Sequence, residues 1–209
     1  MVLHVVDHPL VTHRVAVLRD VRTGSAEFRR VAGELAGFLT YETTRDLPTV
    51  RGTVTTPLDV PADTSTLPER RPLLVPVLRA GVALLDGVLA AVPTAEVGLV
   101  GLARDEDTKE PVPYCVRLPA DLGSPPALVL DPMLATGGSM AWTCRLLAER
   151  GITDITALVL IAAPQGVARV EREIPGVKIF TAALDPGLDD RAFIVPGLGD
   201  AGDRLYGRA

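Results

Sequence analysis

The run Leu128-Val129-Leu130-Asp131-Pro132-Met133-Leu134-Ala135-Thr136-Gly137-Gly138-Ser139 constrains this chain more than any other. A short apolar stretch ends in an acid, a loop of glycine and hydroxyl residues follows, and helical spacing sets in over residues 139–150. Strand, acid, glycine-rich turn, helix start is a layout that suits a sugar phosphate. Loop N–H groups and a helix N-terminus can cradle a phosphate, and an acid at a strand's end can accept hydrogen bonds from ribose hydroxyls. The same letters also fit an ordinary turn with Ser139 as helix N-cap. Two familiar phosphate loops do not fit: the P-loop needs a Lys where Gly138 stands, and G-x-G-x-x-G is absent from the segment.

The surrounding periodicity gives that loop a frame. Residues 1–24 read as an N-terminal arm with a short helix around 11–20. Phe28, Val31, Leu35, Phe38 and Leu39 recur at helical spacing over 25–44, with Ser25 as N-cap. Val and Thr favour strands over 50–60, and the polar, proline-bearing stretch 64–72 reads as a loop. Strands are then expected at 73–78, 96–102, 128–130, 155–162 and 177–182, with helices at 83–92, 139–150 and 167–173. Alternation of this kind predicts an α/β fold, a mostly parallel twisted sheet flanked by helices, in one domain over 1–209. Ligands of such sheets bind beyond the carboxyl ends of the strands, where the Asp131 loop falls.

Composition excludes several classes. No apolar stretch approaches the roughly 20 residues that span a bilayer, and no signal peptide is evident. Two cysteines, Cys115 and Cys144, make no disulfide framework, so a reducing, cytoplasmic setting is expected. Both read as packing thiols, and with every His (4, 8 and 13) near the N-terminus a Ser-His-Asp triad does not arise. A net charge of −5 argues against nucleic acid as the default partner. The bases are nearly all Arg, which suits bidentate phosphate recognition, so what matters is which few stand at a site.

Three further segments meet at predicted strand ends. Leu78-Arg79-Ala80-Gly81 repeats the strand, tight turn, helix layout; Arg79 could bind a pyrophosphate oxygen, with Gly81 allowing unusual backbone angles or close approach. Arg104 follows the next strand and opens a charged, proline-containing stretch to Tyr114, which reads as a solvated loop or as a flexible flap that closes over a ligand. Phe193-Ile194-Val195-Pro196-Gly197-Leu198-Gly199-Asp200-Ala201-Gly202-Asp203 is too apolar for a linker; it could present backbone groups to a flat ligand, or be a surface loop before a final helix. Two Arg and one glycine-rich loop outline a multi-phosphate site, and an acid directly before the loop points to phosphoribosyl pyrophosphate.

Together these segments closely resemble the uracil phosphoribosyltransferase family, a branch of the type I phosphoribosyltransferases. The matching blocks run from His8-Pro9-Leu10-Val11 through Leu39-Thr40-Tyr41-Glu42, Val77-Leu78-Arg79-Ala80-Gly81, Glu110-Pro111-Val112-Pro113-Tyr114 and the Asp131–Ser139 run to the glycine-rich C-terminal stretch. The wider family usually has two adjacent acids before its loop; here Pro132 replaces the latter of the two, a pattern that resembles the uracil branch.

The resemblance implies the type I phosphoribosyltransferase fold and the reaction of uracil with phosphoribosyl pyrophosphate, giving UMP and diphosphate, with Mg²⁺ bound mainly through the donor. It implies that Ala135, Thr136, Gly137, Gly138 and Ser139 hold the 5′-phosphate, within a donor loop that includes Pro132, Met133 and Leu134, and that Asp131 binds the ribose hydroxyls. Arg79 would bind pyrophosphate, on a loop with a non-proline cis peptide before Ala80, and Arg104 would stabilise the departing charge. Ile194, Gly199 and Ala201 would contact uracil through their backbone, with Asp200 near base and donor. The family forms dimers or larger assemblies, and GTP activates some members; no residue pattern here decides either. Three positions depart from the family's usual residues: Ala103 for an aromatic, Gln165 for Glu and Phe193 for Tyr. The rival readings are an RNA-binding regulator on the same scaffold, a transferase for another base, and a non-catalytic subunit.

Overall fold

The structure, a computed structural model, describes residues 2–68, 71–104, 111–120 and 123–207; of Val2 and Arg104 it describes the backbone alone. The chain opens with β1 (Val2–Val5), α1 (Pro9–Arg19) and α2 (Ser25–Thr43), followed by a hairpin of β2 (Val50–Thr55) and β3 (Pro61–Thr66). The central part runs β4 (Leu73–Leu78), α3 (Val82–Ala91), β5 (Glu96–Val97), β6 (Leu99–Arg104), β7 (Pro111–Arg117), β8 (Ala127–Leu130), β9 (Met133–Leu134) and α4 (Gly138–Glu149). Then come β10 (Ile155–Ala162), α5 (Pro164–Glu173), β11 (Lys178–Leu184), β12 (Gly187–Leu188), β13 (Ile194–Val195) and α6 (Ala201–Tyr206).

The main sheet has the order β1-β11-β10-β8-β4-β6-β7. All its neighbours along that path are parallel except the edge pair β6–β7. Both faces are covered, so its central strands read as unbroken apolar runs. Within them the period-2 alternation sorts side chains between two cores. Leu74, Leu128, Leu130, Leu158 and Leu160 pack with α1, α2 and α3; Leu73, Val75, Val77, Val129 and Val159 pack with α4 and α5.

The strand order places a topological switch beside β4. The chain moves from β4 to β6 on one side, then crosses to β8 on the other and continues outward to β10 and β11. The loops after β4 and β8 therefore diverge, leaving a crevice at their carboxyl ends, where open α/β sheets bind ligands.

Several expectations need correction. The N-terminal arm contributes β1 to the sheet edge, with Val2 opposite Lys178 and Val5 opposite Thr181. Four residues are too few for periodicity to show, and the partner lies far away in the chain. Residues 64–66, expected in a loop, finish β3 because they pair with Val50, Arg51 and Gly52. Residues 111–114, expected in the charged loop, begin β7; Pro111 and Pro113 are tolerated there because β7 is an edge strand. Residues 105–110 of the expected flap lie outside the described residues. Ser25 starts α2 but does not cap it, since Gly24 is the N-cap and no side chain bonds there.

Candidate active site

A cavity of about 420 Å³ occupies the switch-point crevice. The loop after β8, from Asp131 through Ser139, forms one wall. Residues 191–194 and 199–202 form the opposite wall, and Ala80 closes the end nearest β4. The structure thus brings the predicted phosphate loop and the predicted base segment face to face.

The phosphate loop is shaped by backbone approach. Gly137 is the N-cap of α4 at φ +80°, which takes over the capping position that the sequence suggested for Ser139. A Cβ on Gly137 would also stand 2.6 Å from the Gly166 carbonyl oxygen. Gly166, near the start of α5, closes the arrangement from behind: its own Cβ would meet the Ala135 and Leu134 carbonyl oxygens at 2.5 and 2.7 Å. With those carbonyls turned toward α5, the start of α4 is left to the cavity, where its N–H groups and dipole favour an anion.

Asp131 stands at the end of β8, partly exposed to the cavity. Surrounding protein desolvates its carboxyl and pushes it up to about 7, against one opposing hydrogen bond from the Met133 N–H at 3.3 Å. An acid so placed gains by receiving hydroxyl donors or a cation.

Arg79 follows β4 directly and is exposed. Its Nη2 lies 4.0 Å from where a Cβ on Gly202 would stand, so the guanidinium reaches across to the base wall. The non-proline cis peptide lies at Leu78–Arg79, one bond earlier than the resemblance implied. Gly81 adopts an ordinary φ of −61°. Its need for glycine comes from crowding by backbone, with the Val77 nitrogen 2.6 Å from where a Cβ would stand, and not from unusual angles or a ligand. Arg104 ends β6 at the same end of the sheet, and its side chain lies outside the described residues.

On the base wall, Ile194 and Ala201 are buried, while Gly199 and Asp200 are exposed to the cavity. Asp200 caps α6, its Oδ1 accepting the Asp203 N–H at 2.9 Å. Sequence reasoning missed Arg191, which is the one cation lining this cavity among the described residues. It rides a turn held by Asp189, whose Oδ1 accepts the Arg191 and Phe193 N–H groups at 2.9 and 2.8 Å. A charged residue on a two-strand loop carries no periodic signal that could have marked it.

Of the three departing positions, Ala103 and Gln165 lie outside the cavity lining and Phe193 lies within it. Ala103 is exposed on β6 opposite Val112, and Gln165, in the first turn of α5, reaches toward β12, its Nε2 3.2 Å from a Cβ position on Gly187. Phe193 lines the cavity with 38% of its surface exposed. Cys144 is fully buried and its thiol is pushed up to about 12 by that burial, as a packing thiol should be.

A sequence-family profile described as Uracil phosphoribosyltransferase matches residues 5–208. The uracil phosphoribosyltransferase of Streptomyces coelicolor is 51% identical over 211 aligned positions, covering the whole of both chains. The solved structure of the AQ2163 protein from Aquifex aeolicus superposes with a TM-score of 0.93 at 37% identity over 99% of each chain. An APRTase from Giardia lamblia, at 15% identity and a TM-score of 0.51 over 75% of this chain and 81% of its own, shares the fold alone. The chain belongs to the uracil phosphoribosyltransferase family.

Proposed function

We propose that this protein transfers the 5-phosphoribosyl group of phosphoribosyl pyrophosphate to uracil, giving UMP and diphosphate, in the crevice between the β4 and β8 loops. The observation that carries the residue assignments is the single cavity wall pairing: an acid-plus-glycine loop at a helix N-terminus faces the 194–201 segment across one cavity. Backbone N–H groups of residues 135–139 hold the 5′-phosphate, and Asp131 accepts the ribose hydroxyls. Arg79 binds the diphosphate from the β4 side, and Arg104 meets it from the end of β6.

Breaking the bond at ribose C1 leaves positive character on the sugar and negative charge on diphosphate. Fixed cations aimed at that leaving group lower the barrier because their position costs no reorganisation. Holding base and donor in line supplies much of the rest. Uracil is read by backbone groups at Ile194, Gly199 and Ala201, and cytosine, with an amine in place of an acceptor, would bring two donors together. Asp131 and Asp200 on the cavity wall fit a hard cation's preference for oxygen ligands, alongside the donor's own diphosphate oxygens. When bound with the donor, Mg²⁺ supplies charge neutralisation of the diphosphate.

The functional unit includes a second copy of the chain. The β2–β3 hairpin is exposed along nearly its whole length, with Val50, Val54, Leu58 and Val60 open to solvent. A lone two-stranded hairpin is marginal in water, which favours a partner surface. Free Cys115 and Cys144 and phosphorylated substrates favour the cytoplasm. GTP activates some members of the family, and a titration of activity with GTP tests whether it acts on this protein.

The test is diphosphate release with uracil and the donor in Mg²⁺, for the native protein and Asp131→Asn. Release that depends on uracil and falls at least tenfold in the variant is expected. Equal release without uracil, or an unaffected variant, refutes the assignment.

A further inference from the structure

The base wall is anchored differently from the donor wall. Residues 131–139 are held between β8, β10 and α5, whereas the turn at 196–199 hangs beyond the sheet. Two arginines from opposite ends of the chain fasten it.

The first is Arg19, at the end of α1. Asp185, just past β11, is 4% exposed, and its carboxylate accepts three hydrogen bonds. Arg19 Nη1 donates to Oδ2 at 2.9 Å, Arg19 Nη2 to Oδ1 at 2.5 Å, and the Gly197 N–H to Oδ2 at 2.9 Å. Arg19 Nη1 also donates to the Gly197 carbonyl at 2.9 Å. Both backbone polar groups of Gly197 are therefore tied to one ion pair. Burial pushes the Asp185 carboxyl up, but the Arg19 and Gly197 hydrogen bonds outweigh it and hold the group below its ordinary value. Gly197 has little freedom of its own, since it sits at φ +65° with the Ile194 carbonyl against the place of its missing Cβ.

The second is Arg204 in α6. It donates to the Leu198 carbonyl at 3.0 Å and to the carbonyls of Leu18, Asp20 (2.8 Å) and Thr23 (3.3 Å) around the end of α1. Its guanidinium lies over the Phe28 ring, 4.2 Å from the centroid. The end of α1 is thus the anchor for the whole turn, although α1 contributes no residue to the cavity.

From this arrangement we infer that Arg19 and Asp185 are positioning residues for nucleobase selection, an inference that rests on residues 194–201 being the base subsite. They fix the Gly197 peptide, which lies between the two backbone readers, Ile194 and Gly199, and so set where both present their groups. Recognition by fixed donors and acceptors works only when these are held to within about 0.5 Å. A loosened site accommodates the wrong pattern, whereas a rigid one leaves polar groups unpaired when the wrong base binds. A planar fork is needed to bond two carboxylate oxygens and one carbonyl together, so lysine cannot replace Arg19.

The test uses the full-length protein and its Arg19→Lys, Asp185→Asn and Arg14→Lys variants. Arg14 lies on the same helix but pairs with Glu34, away from the turn, and serves as control. KM for uracil, KM for phosphoribosyl pyrophosphate, kcat, the uracil-to-cytosine ratio of kcat/KM and the melting temperature are measured for each. Arg19→Lys and Asp185→Asn are expected to raise KM for uracil at least tenfold and lower the uracil-to-cytosine ratio at least tenfold. KM for the donor stays within twofold, and Arg14→Lys matches the native protein. If Asp185→Asn does not fold, Arg19→Lys, which keeps the charge, carries the test. Equal changes in both KM values, or a lower melting temperature with unchanged uracil kinetics, would overturn the inference while leaving the base subsite standing. A native protein that makes no UMP from uracil overturns the base subsite and the inference together.

Discussion

Gly166→Ala probes the least obvious part of the site, the contact that aims the phosphate loop. The added methyl would lie 2.5 Å from the Ala135 carbonyl oxygen and 2.7 Å from that of Leu134. Carbon and oxygen settle at about 3.3 Å or more, so α5 and the loop must part by roughly 0.7 Å. Both obstacles are backbone, and no flexible side chain can swing away to absorb the shift. Overpacking costs about 1–3 kcal/mol, offset by up to about 1 kcal/mol because alanine is the better helix former. The net loss is about 1 kcal/mol, a fall in melting temperature of about 2–4 °C for a chain of this size. Activity should suffer more, since misplacing a binding group by about 1 Å can cost about a hundredfold. Thermal melts and initial rates at varied donor concentration measure both effects. Gly24→Ala is the control for the kinetics, because its Cβ would meet nothing within 4 Å. The reasoning fails if Gly166→Ala keeps KM for phosphoribosyl pyrophosphate and kcat within twofold of the native values.

Asp131 links the site to stability. Its carboxyl sits at about 7 when folded, against an ordinary 3.8, so the folded state holds its proton more tightly and stability falls as pH rises between those values. Three pK units correspond to about 4 kcal/mol, and partial exposure to the cavity reduces this to about 2 kcal/mol. In metal-free buffer, denaturant melts should show Asp131→Asn more stable than the native protein at pH 8 and little changed at pH 4, with donor binding lost; a variant less stable at pH 8 contradicts the account. Arg79→Ala should lower kcat/KM for the donor by about 10²–10³, the range for removing one fixed donor to developing charge, with KM for uracil less affected in steady-state kinetics. Replacing residues 50–66 by a short turn should leave the melting temperature within a few degrees but shift sedimentation from an assembly to a monomer; unchanged sedimentation removes the hairpin from the interface.

Much of the fold was legible because its signals are local. Phe28, Val31, Leu35 and Leu39 mark α2 by spacing, and the apolar runs at Leu73–Leu78 and Ile155–Ala162 mark strands buried on both faces. β1 and β7 were not legible. Their assignment depends on pairing with β11 and β6, and β7 carries two prolines that read locally as loop. The site divides the same way. Asp131, Gly137 and Arg79 sit in compact runs at strand ends, where chemistry and turn coincide in sequence. Arg19, Asp185 and Arg204 act through contacts spanning more than a hundred and fifty residues, such as Arg19 to Asp185 (166 apart) and Arg204 to Leu18 (186 apart), and no window along the chain contains them. Glycines fall between these cases: the sequence marks Gly81 as special, but only the Val77 backbone beside it shows that crowding is the reason.

The most direct test of the central claim is nucleotide formation by the purified protein with phosphoribosyl pyrophosphate and Mg²⁺, offered uracil, cytosine, hypoxanthine or orotate separately. The account predicts UMP from uracil and no product from the other three. Nucleotide formed from any of those at a comparable rate would contradict the backbone reading of uracil by residues 194–201.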